Sequence, residues 1–286
     1  MNGTLVVGID GTESSRAALR WAVSRANATR GAVELVHVID DEWTTISARM
    51  IEELGNDSRR LLEGEAAYAR SLAPDLVIRT RSTRGEPMQT LIAASSAAEM
   101  VVVGTHKTGF INGKIFGSRS LRLAASARTP VAIIPQGMPR AGRGIVVGVD
   151  DSPAGRQAIR FAAHEAERTR ETLTLLRAFT IPESVAASED VRRELLQHGE
   201  ELAGAALSDA VTLATATAPG VDLKARSVRR PTAEALVEAA ATATLLVVGS
   251  SRQEEGDNAM VGSVSHDVLI NLTGPAVVVH ARDSQE

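Results

Sequence analysis

Short apolar runs rich in Val, Leu and Ile recur along the chain, and longer segments with apolar residues at helical spacing separate them. In the first half the runs are TLVVGI, AVELVHVI, DLVIRT, EMVVVG and PVAIIP; in the second they are GIVVGV, LTLLRAF, DLKARSV, TLLVVG and PAVVVH. Their length and β-branched content predict strands, and the segments between them predict helices. Each half therefore reads strand, helix, strand, helix, strand, helix, strand, glycine loop, helix, strand. Strict alternation of this kind implies right-handed βαβ crossovers and a parallel, doubly wound sheet covered by helices on both faces.

The pattern is written twice. VVGIDGTESSRAALRWAVSRA from Val6 returns as VVGVDDSPAGRQAIRFAAHEA from Val146, 140 positions on, and Gly104, Gly117, Ser118 and Pro130 return 145 positions on as Gly249, Gly262, Ser263 and Pro275. Repetition over the whole length predicts a tandem duplication. The expected fold is α/β: two tandem doubly wound, Rossmann-like domains, each a five-stranded parallel sheet flanked by helices. The stretch QGMPRAGRG, polar and rich in Gly and Pro, reads as the linker, which places the domains at 1–138 and 142–286. Ser152 and Pro153 form a cap-and-first-turn pair for the helix after the first strand of the second copy, and Thr12 and Glu13 take those places in the first. The segment DEWTTISARMIEELG carries Ile46, Met50, Ile51 and Leu54 at helical spacing, which predicts packing against the core or as a lid.

Composition narrows the function. The chain has 286 residues, 44% hydrophobic but only 2% aromatic, so its cores must be built from aliphatic side chains. The absence of cysteine removes disulfides and thiolate metal sites and fits a reducing compartment, with the cytoplasm as the expected location. A formal net charge of −4 and only short arginine clusters, RSTR and RSVRR, argue against nucleic acid as a partner. No apolar run approaches membrane-spanning length. No His pair, calcium-loop spacing or G-x-S-x-G elbow is present, so neither a metal centre nor an acyl-transfer triad is predicted.

In open α/β sheets, ligands sit beyond the carboxyl ends of the strands, where strand order reverses. The ends of the first and fourth strands bring Gly8 and Asp10 toward Gly104 and the loop VVVGTHKTGFINGKIFGSRS. Glycines expose backbone N–H groups without obstructing side chains, and a helix start favours negative charge. Gly104, Gly109, Gly113, Gly117 and Ser118 can supply such a cradle, and the hydroxyls of Ser118 and Ser120 can donate to phosphate or cap the helix. Asp10 has a second, weaker reading as a turn residue accepting local N–H bonds.

The doubled VVG-[IV]-D start and the G-x-x-(G)-x9-G-S spacing after the fourth strand resemble the universal stress protein family in its tandem-domain form, over essentially the whole chain. In that family a G-x-x-G-x9-G-[ST] loop holds ATP phosphates in the nucleotide-binding members, whereas other members bind none. The resemblance implies ATP as the ligand, accompanied by Mg. It assigns phosphate contacts to Gly104, Gly117 and Ser118, the carboxylate after the first strand to Asp10, and the backbone against the base to Val38. The second-copy counterparts of Gly8, Asp10, Val38, Gly104, Gly117, Ser118 and Ser120 are Gly148, Asp150, Ala178, Gly249, Gly262, Ser263 and Ser265. Lys107 and Arg252 stand where the family has its second glycine. A cation there either blocks the cradle or pairs with phosphate oxygens.

The first copy is the better phosphate site on charge. Between the flanking glycines it carries Lys107 and Lys114 with no acid, formally +2, whereas the second carries Arg252 against Glu254, Glu255 and Asp257, formally −2. The expected function is a non-catalytic, ATP-responsive stress protein. A slow ATP hydrolase using Asp10 and a nucleotide-free interaction protein are the competing readings. The resemblance also implies pairing through the last strand of each copy, PVAIIP and PAVVVH, as a pseudo-dimer within one chain and a homodimer between chains.

Overall fold

A computed structural model of the chain describes residues 3–40, 47–105, 110–111, 114–115, 118–137, 142–181, 188–251 and 260–281. Two compact units divide it, the first built on Met1–Met138 and the second on Pro139–Gln253 and Val261–Glu286.

The first unit runs β1 (Thr4–Gly8), α1 (Glu13–Thr29), β2 (Ala32–Ile39), α2 (Ala48–Leu72), β3 (Val77–Arg84), α3 (Pro87–Ser95), β4 (Met100–Thr105), β5 (Phe110–Ile111), β6 (Lys114–Ile115), α4 (Ser118–Ser126) and β7 (Val131–Pro135). Its main sheet has the order β3-β2-β1-β4-β7, with every pairing parallel. The second unit runs β8 (Ile145–Gly148), α5 (Pro153–Thr169), β9 (Leu173–Phe179), α6 (Glu189–Thr217), β10 (Leu223–Arg229), α7 (Thr232–Ala240), β11 (Leu245–Ser250), α8 (Ser263–Ile270) and β12 (Ala276–His280). Its order is β10-β9-β8-β11-β12, again all parallel. The five-stranded, doubly wound sheet expected of each half is present.

The central strands are buried on both faces, as their unbroken apolar runs require: Val7, Leu35 and Val102 in the first unit and Val147, Leu175 and Val247 in the second have no exposed surface. Helix α1 presents Ala17, Ala18, Ala22 and Ala26 inward, and α5 presents Ala158, Ala162, Ala163 and Ala166, all buried. Alanine on the inner face lets each helix lie close to its sheet. The helix starts are those written in the sequence: the Thr12 side chain accepts from Ser15 N, and Ser152 accepts from Gly155 N with Pro153 in the first turn. Both helices end on an arginine in the left-handed region, Arg30 and Arg170, at φ 53° and 57°. Each backbone N–H there closes the helix onto carbonyls of its last turn.

Three features depart from the sequence pattern. Residues β5 and β6 form a two-stranded antiparallel ladder inside the glycine loop. Strand β3 continues to Arg84 beyond the DLVIRT run, because Ser82, Thr83 and Arg84 pair with His37, Val38 and Ile39 although their side chains are polar. Met50 and Leu54 are exposed and do not pack into the core; the inward face of α2 begins only at Ser58 and continues through Leu62, Glu65 and Ala69. Ile46 lies outside the described residues.

Candidate functional site

In the order β3-β2-β1-β4-β7, the chain winds one way from β1 to β2 and β3 and the other way to β4 and β7, so strand order reverses between β1 and β4. At that point a cleft of about 170 Å³ opens beyond the strand ends. Gly8, Ile9 and Asp10 form one wall, Val36, His37 and Val38 a second, and Val103 and Gly104 a third. Met88 and Leu91 of α3 add apolar surface, and Arg119 and Ser120 bring the start of α4 to the rim.

The glycines here answer to packing. A Cβ built on Gly104 would overlap the backbone carbonyl of Ser14, and one on Gly249 would come within 2.6 Å of the Ala154 carbonyl carbon. Each fourth strand therefore needs glycine so that the first helix can start directly against it. Gly8 and Gly148 face leucine side chains instead, with a Cβ 3.2 Å from Leu91 Cδ1 and 3.3 Å from Leu236 Cδ1.

Asp10 organises the turn into α1. Its Oδ1 accepts from the Thr12 N–H at 3.0 Å and from Thr12 Oγ1 at 2.6 Å, and Asp150 makes the same pair of bonds to Ser152 at 2.9 and 2.6 Å. Both carboxylates thus have a local structural role.

Val38 has the more distinctive position. Alternate residues of a strand direct their backbone groups to opposite neighbours. Gly85 donates to Ile39 O on the β3 side, whereas Ile9 donates to Val36 O on the β1 side. By this alternation the N–H and C=O of Val38 point toward β1, which has already ended at Gly8. The gap where β1 and β2 part therefore offers one donor and one acceptor beside an apolar wall.

His37 turns to the other face of the sheet. Its Nδ1 lies 2.8 Å from Ser58 Oγ of α2, and Ser58 Oγ lies 2.6 Å from Ser82 Oγ of β3. Burial lowers the imidazole pKa below its ordinary value, and the charge of Asp10 opposes part of that shift.

Ser120 lines the cleft, and its hydroxyl makes no hydrogen bond among the described residues. Arg119 beside it is exposed in the first turn of α4. Ser118 begins α4. Lys107, Gly109, Gly113 and Gly117 lie outside the described residues, as does Arg252 in the second unit. Five of the described first-unit residues named from the sequence, Gly8, Asp10, Val38, Gly104 and Ser120, thus meet around one cleft, and Arg119 joins them although no motif position pointed to it.

The second unit closes the same region on itself. The Gly262 N–H donates to Ser250 Oγ at 3.1 Å, the buried Ser265 hydroxyl donates to Gly249 O at 2.9 Å, and His280 Nδ1 lies 3.0 Å from Ser250 O. Ser263 begins α8, with no side-chain hydrogen bond capping that helix. Arg177 stands where the first unit has His37, one residue before Ala178, and its guanidinium donates to Val149 O at 2.9 Å. Val264 replaces Arg119 and is 38% exposed.

Fold and site together define a tandem pair of doubly wound α/β units with a crevice at the switch point of the first. The family model for the universal stress protein family matches residues 1–135 and again 143–280. The chain belongs to the universal stress protein family, in tandem-domain form. It is 29% identical over 289 residues to a universal stress protein of Mycolicibacterium smegmatis, with 97% of each chain covered. A universal stress protein of Mycobacterium bovis is 30% identical over 317 residues, covering 99% of this chain and 96% of the relative. Among solved structures, a universal stress protein from Archaeoglobus fulgidus covers 98% of both chains with a TM-score of 0.71 at 18% identity, a likeness of fold. Among the described residues no helix is long and apolar enough to cross a membrane, and no group of three or more His, Cys, Asp or Glu side chains could hold a metal ion.

Proposed function

We propose that the first unit binds ATP in the crevice beyond β1 and β4, and that the protein acts as a non-catalytic, nucleotide-responsive regulator. The observation that carries this reading is the backbone of Val38. Its C=O and N–H, side by side in the gap between β1 and β2, complement the amino group and the adjacent ring nitrogen of adenine. Guanine presents the opposite polarity on that edge. Ile9, Val36, Met88, Leu91 and Val103 supply apolar surface for the base. At the other end of the cleft, Arg119, the Ser120 hydroxyl and the N-terminus of α4 offer charge and donors to phosphates. Mg arrives with the triphosphate in this reading.

Among the described residues the one serine paired with a histidine near the cleft, Ser58 with His37, lies against α2 and does not line the cleft, and Asp10 already accepts two local bonds. Occupancy acts by favouring one conformation over another, which requires that ATP bind the two unequally. The test is to denature the purified protein, chromatograph what is released, and titrate the stripped protein with Mg-ATP and Mg-GTP. The expected result is one ATP per chain and GTP weaker by at least about a hundredfold, as when a site's donor and acceptor meet mismatched partners. Equal affinity for the two, or no binding, overturns the reading; ADP accumulating over hours, and lost in Asp10→Ala, establishes hydrolysis instead.

A further inference from the structure

The two units share a backbone but differ in what fills the gap between their first and second strands. In the first, residue 37 is a histidine anchored on the α2 face by Ser58, which is itself bonded to Ser82. In the second, the corresponding positions are Arg177, Ala203 and Ser227. Arg177 pairs in register with Ser227 as His37 does with Ser82, and Ala203 is as buried on α6 as Ser58 is on α2. Replacing Ser58 by alanine removes the hydroxyl that would hold residue 177 against the helix. The guanidinium finds its acceptor elsewhere, at Val149 O, 2.9 Å away, with Asp151 3.8 Å from its other nitrogen.

Val149 is the residue at which β8 and β9 part. Its N–H donates to Leu176 O, the last rung of that ladder, just as Ile9 N donates to Val36 O in the first unit. The next acceptor along the gap is Val149 O, which the guanidinium occupies. A charged group held by a backbone acceptor and facing a carboxylate is costly to displace, because its hydrogen bonds are charge-assisted. A base entering beside Ala178 would meet a cation with five donors and no acceptor.

We propose that Arg177 is a built-in occupant of the second unit's crevice that keeps an adenine base out of it, so that the chain has one adenine site for two units. The adenine class of the ligand rests on the reading of the first unit; the exclusion by Arg177 rests on the second unit's own geometry. Removing the side chain opens the gap without leaving a buried void, since it is 25% exposed.

The experiment uses the full chain and photolabelling with radioactive 8-azidoadenosine, a probe that needs only the base end of the site, followed by peptide mapping. It is run on the wild type, Arg177→Ala and Arg177→His, each checked for an unchanged melting transition. The expected result is label in the first unit alone for the wild type, and a rise of about tenfold or more in second-unit label in both variants, the size of one charge-assisted hydrogen bond. Second-unit label that stays unchanged in both variants, or that already equals first-unit label in the wild type, overturns the proposal. A second-unit gain in the variants without first-unit label in any protein supports Arg177 as the plug while overturning the first-unit reading. Absence of label in every protein overturns both.

Discussion

The crevices of the two units begin from the same scaffold and end differently. Gly8 and Gly148, Asp10 and Asp150, and Gly104 and Gly249 occupy equivalent places, and each has a local packing or turn-forming reason to be there. The side chains that set the chemistry have diverged: His37 against Arg177, Ser58 against Ala203, Arg119 against Val264. In the first unit the Ser120 hydroxyl lines the cleft without a hydrogen bond among the described residues, while in the second its counterpart Ser265 donates to Gly249 O and Arg177 donates to Val149 O. Gly104 and Gly249 therefore report that the fold is intact; whether a site is open is decided by neighbours that the motif does not mention.

The largest effects should fall equally on the two units. Gly104→Val and Gly249→Val each force a side chain into the backbone at the start of α1 or α5, with no flexible atom to yield. Each is expected to cost more than about 3 kcal/mol, the upper range of overpacking, read from urea unfolding. Gly8→Ala meets side-chain ends, Leu91 Cδ1 at 3.2 Å and Val103 Cγ1 at 3.4 Å, and should cost about 1 kcal/mol. Tolerance of Gly104→Val would break the claim that this glycine serves packing.

A smaller effect should separate the units. Ser58 is 2% exposed and links His37 to Ser82, so Ser58→Ala strands the half-buried His37 Nδ1, while the exposed Ser82 hydroxyl turns to water, and should cost about 1 kcal/mol. The second unit already has alanine at this place and pairs its residue 177 with a backbone carbonyl instead. On the binding side, Arg119→Ala should weaken ATP about tenfold and leave adenosine unchanged, because an exposed first-turn cation meets only the phosphates. Equal loss of ATP and adenosine in a titration would place Arg119 at the base end and undo that assignment.

Much of this is legible in the sequence itself. Buried strands betray themselves by unbroken Val-rich runs, and the duplication shows by direct comparison, so the alternation, the sheet and the capped helix starts all follow from the sequence. Edge strand β3 was only half visible, because a strand with solvent on its flank can carry RTRSTR without an apolar period. Met50 and Leu54 misled for the converse reason: helical spacing of apolar residues marks a stripe, but the first turns of α2 carry that stripe into solvent. Within the crevice, Asp10, Gly104 and Ser120 can be named from strand ends and loop spacing, and Val38 through the family resemblance. The roles of Ser58, Arg119 and Arg177 could not. Each depends on a contact between residues remote in sequence or on a side chain's choice between two faces, and no local pattern records that choice.

The smallest expected effect is a pH dependence of strand β2 in the first unit. Burial lowers the His37 pKa below its ordinary value of about 6.5, so the unfolded chain takes up a proton at higher pH than the folded one does. Where the unfolded state binds more protons, stability rises with pH. The stability that neutral His37 confers is therefore fully present above about pH 6.5 and declines as pH falls from there toward the lowered folded value. Asp10 moderates the decline, since its negative charge favours the protonated ring. Hydrogen exchange corrected for intrinsic rates should show β2 amides losing protection between about pH 7 and 5.5, while β9 amides do not follow, because Arg177 keeps its charge throughout. His37→Asn, which retains a group able to bond Ser58 but does not titrate, should flatten the β2 dependence. If β2 instead gains protection on acidification, the attraction of Asp10 for a protonated ring outweighs its burial, and the first unit resembles the second in holding a cation at this position.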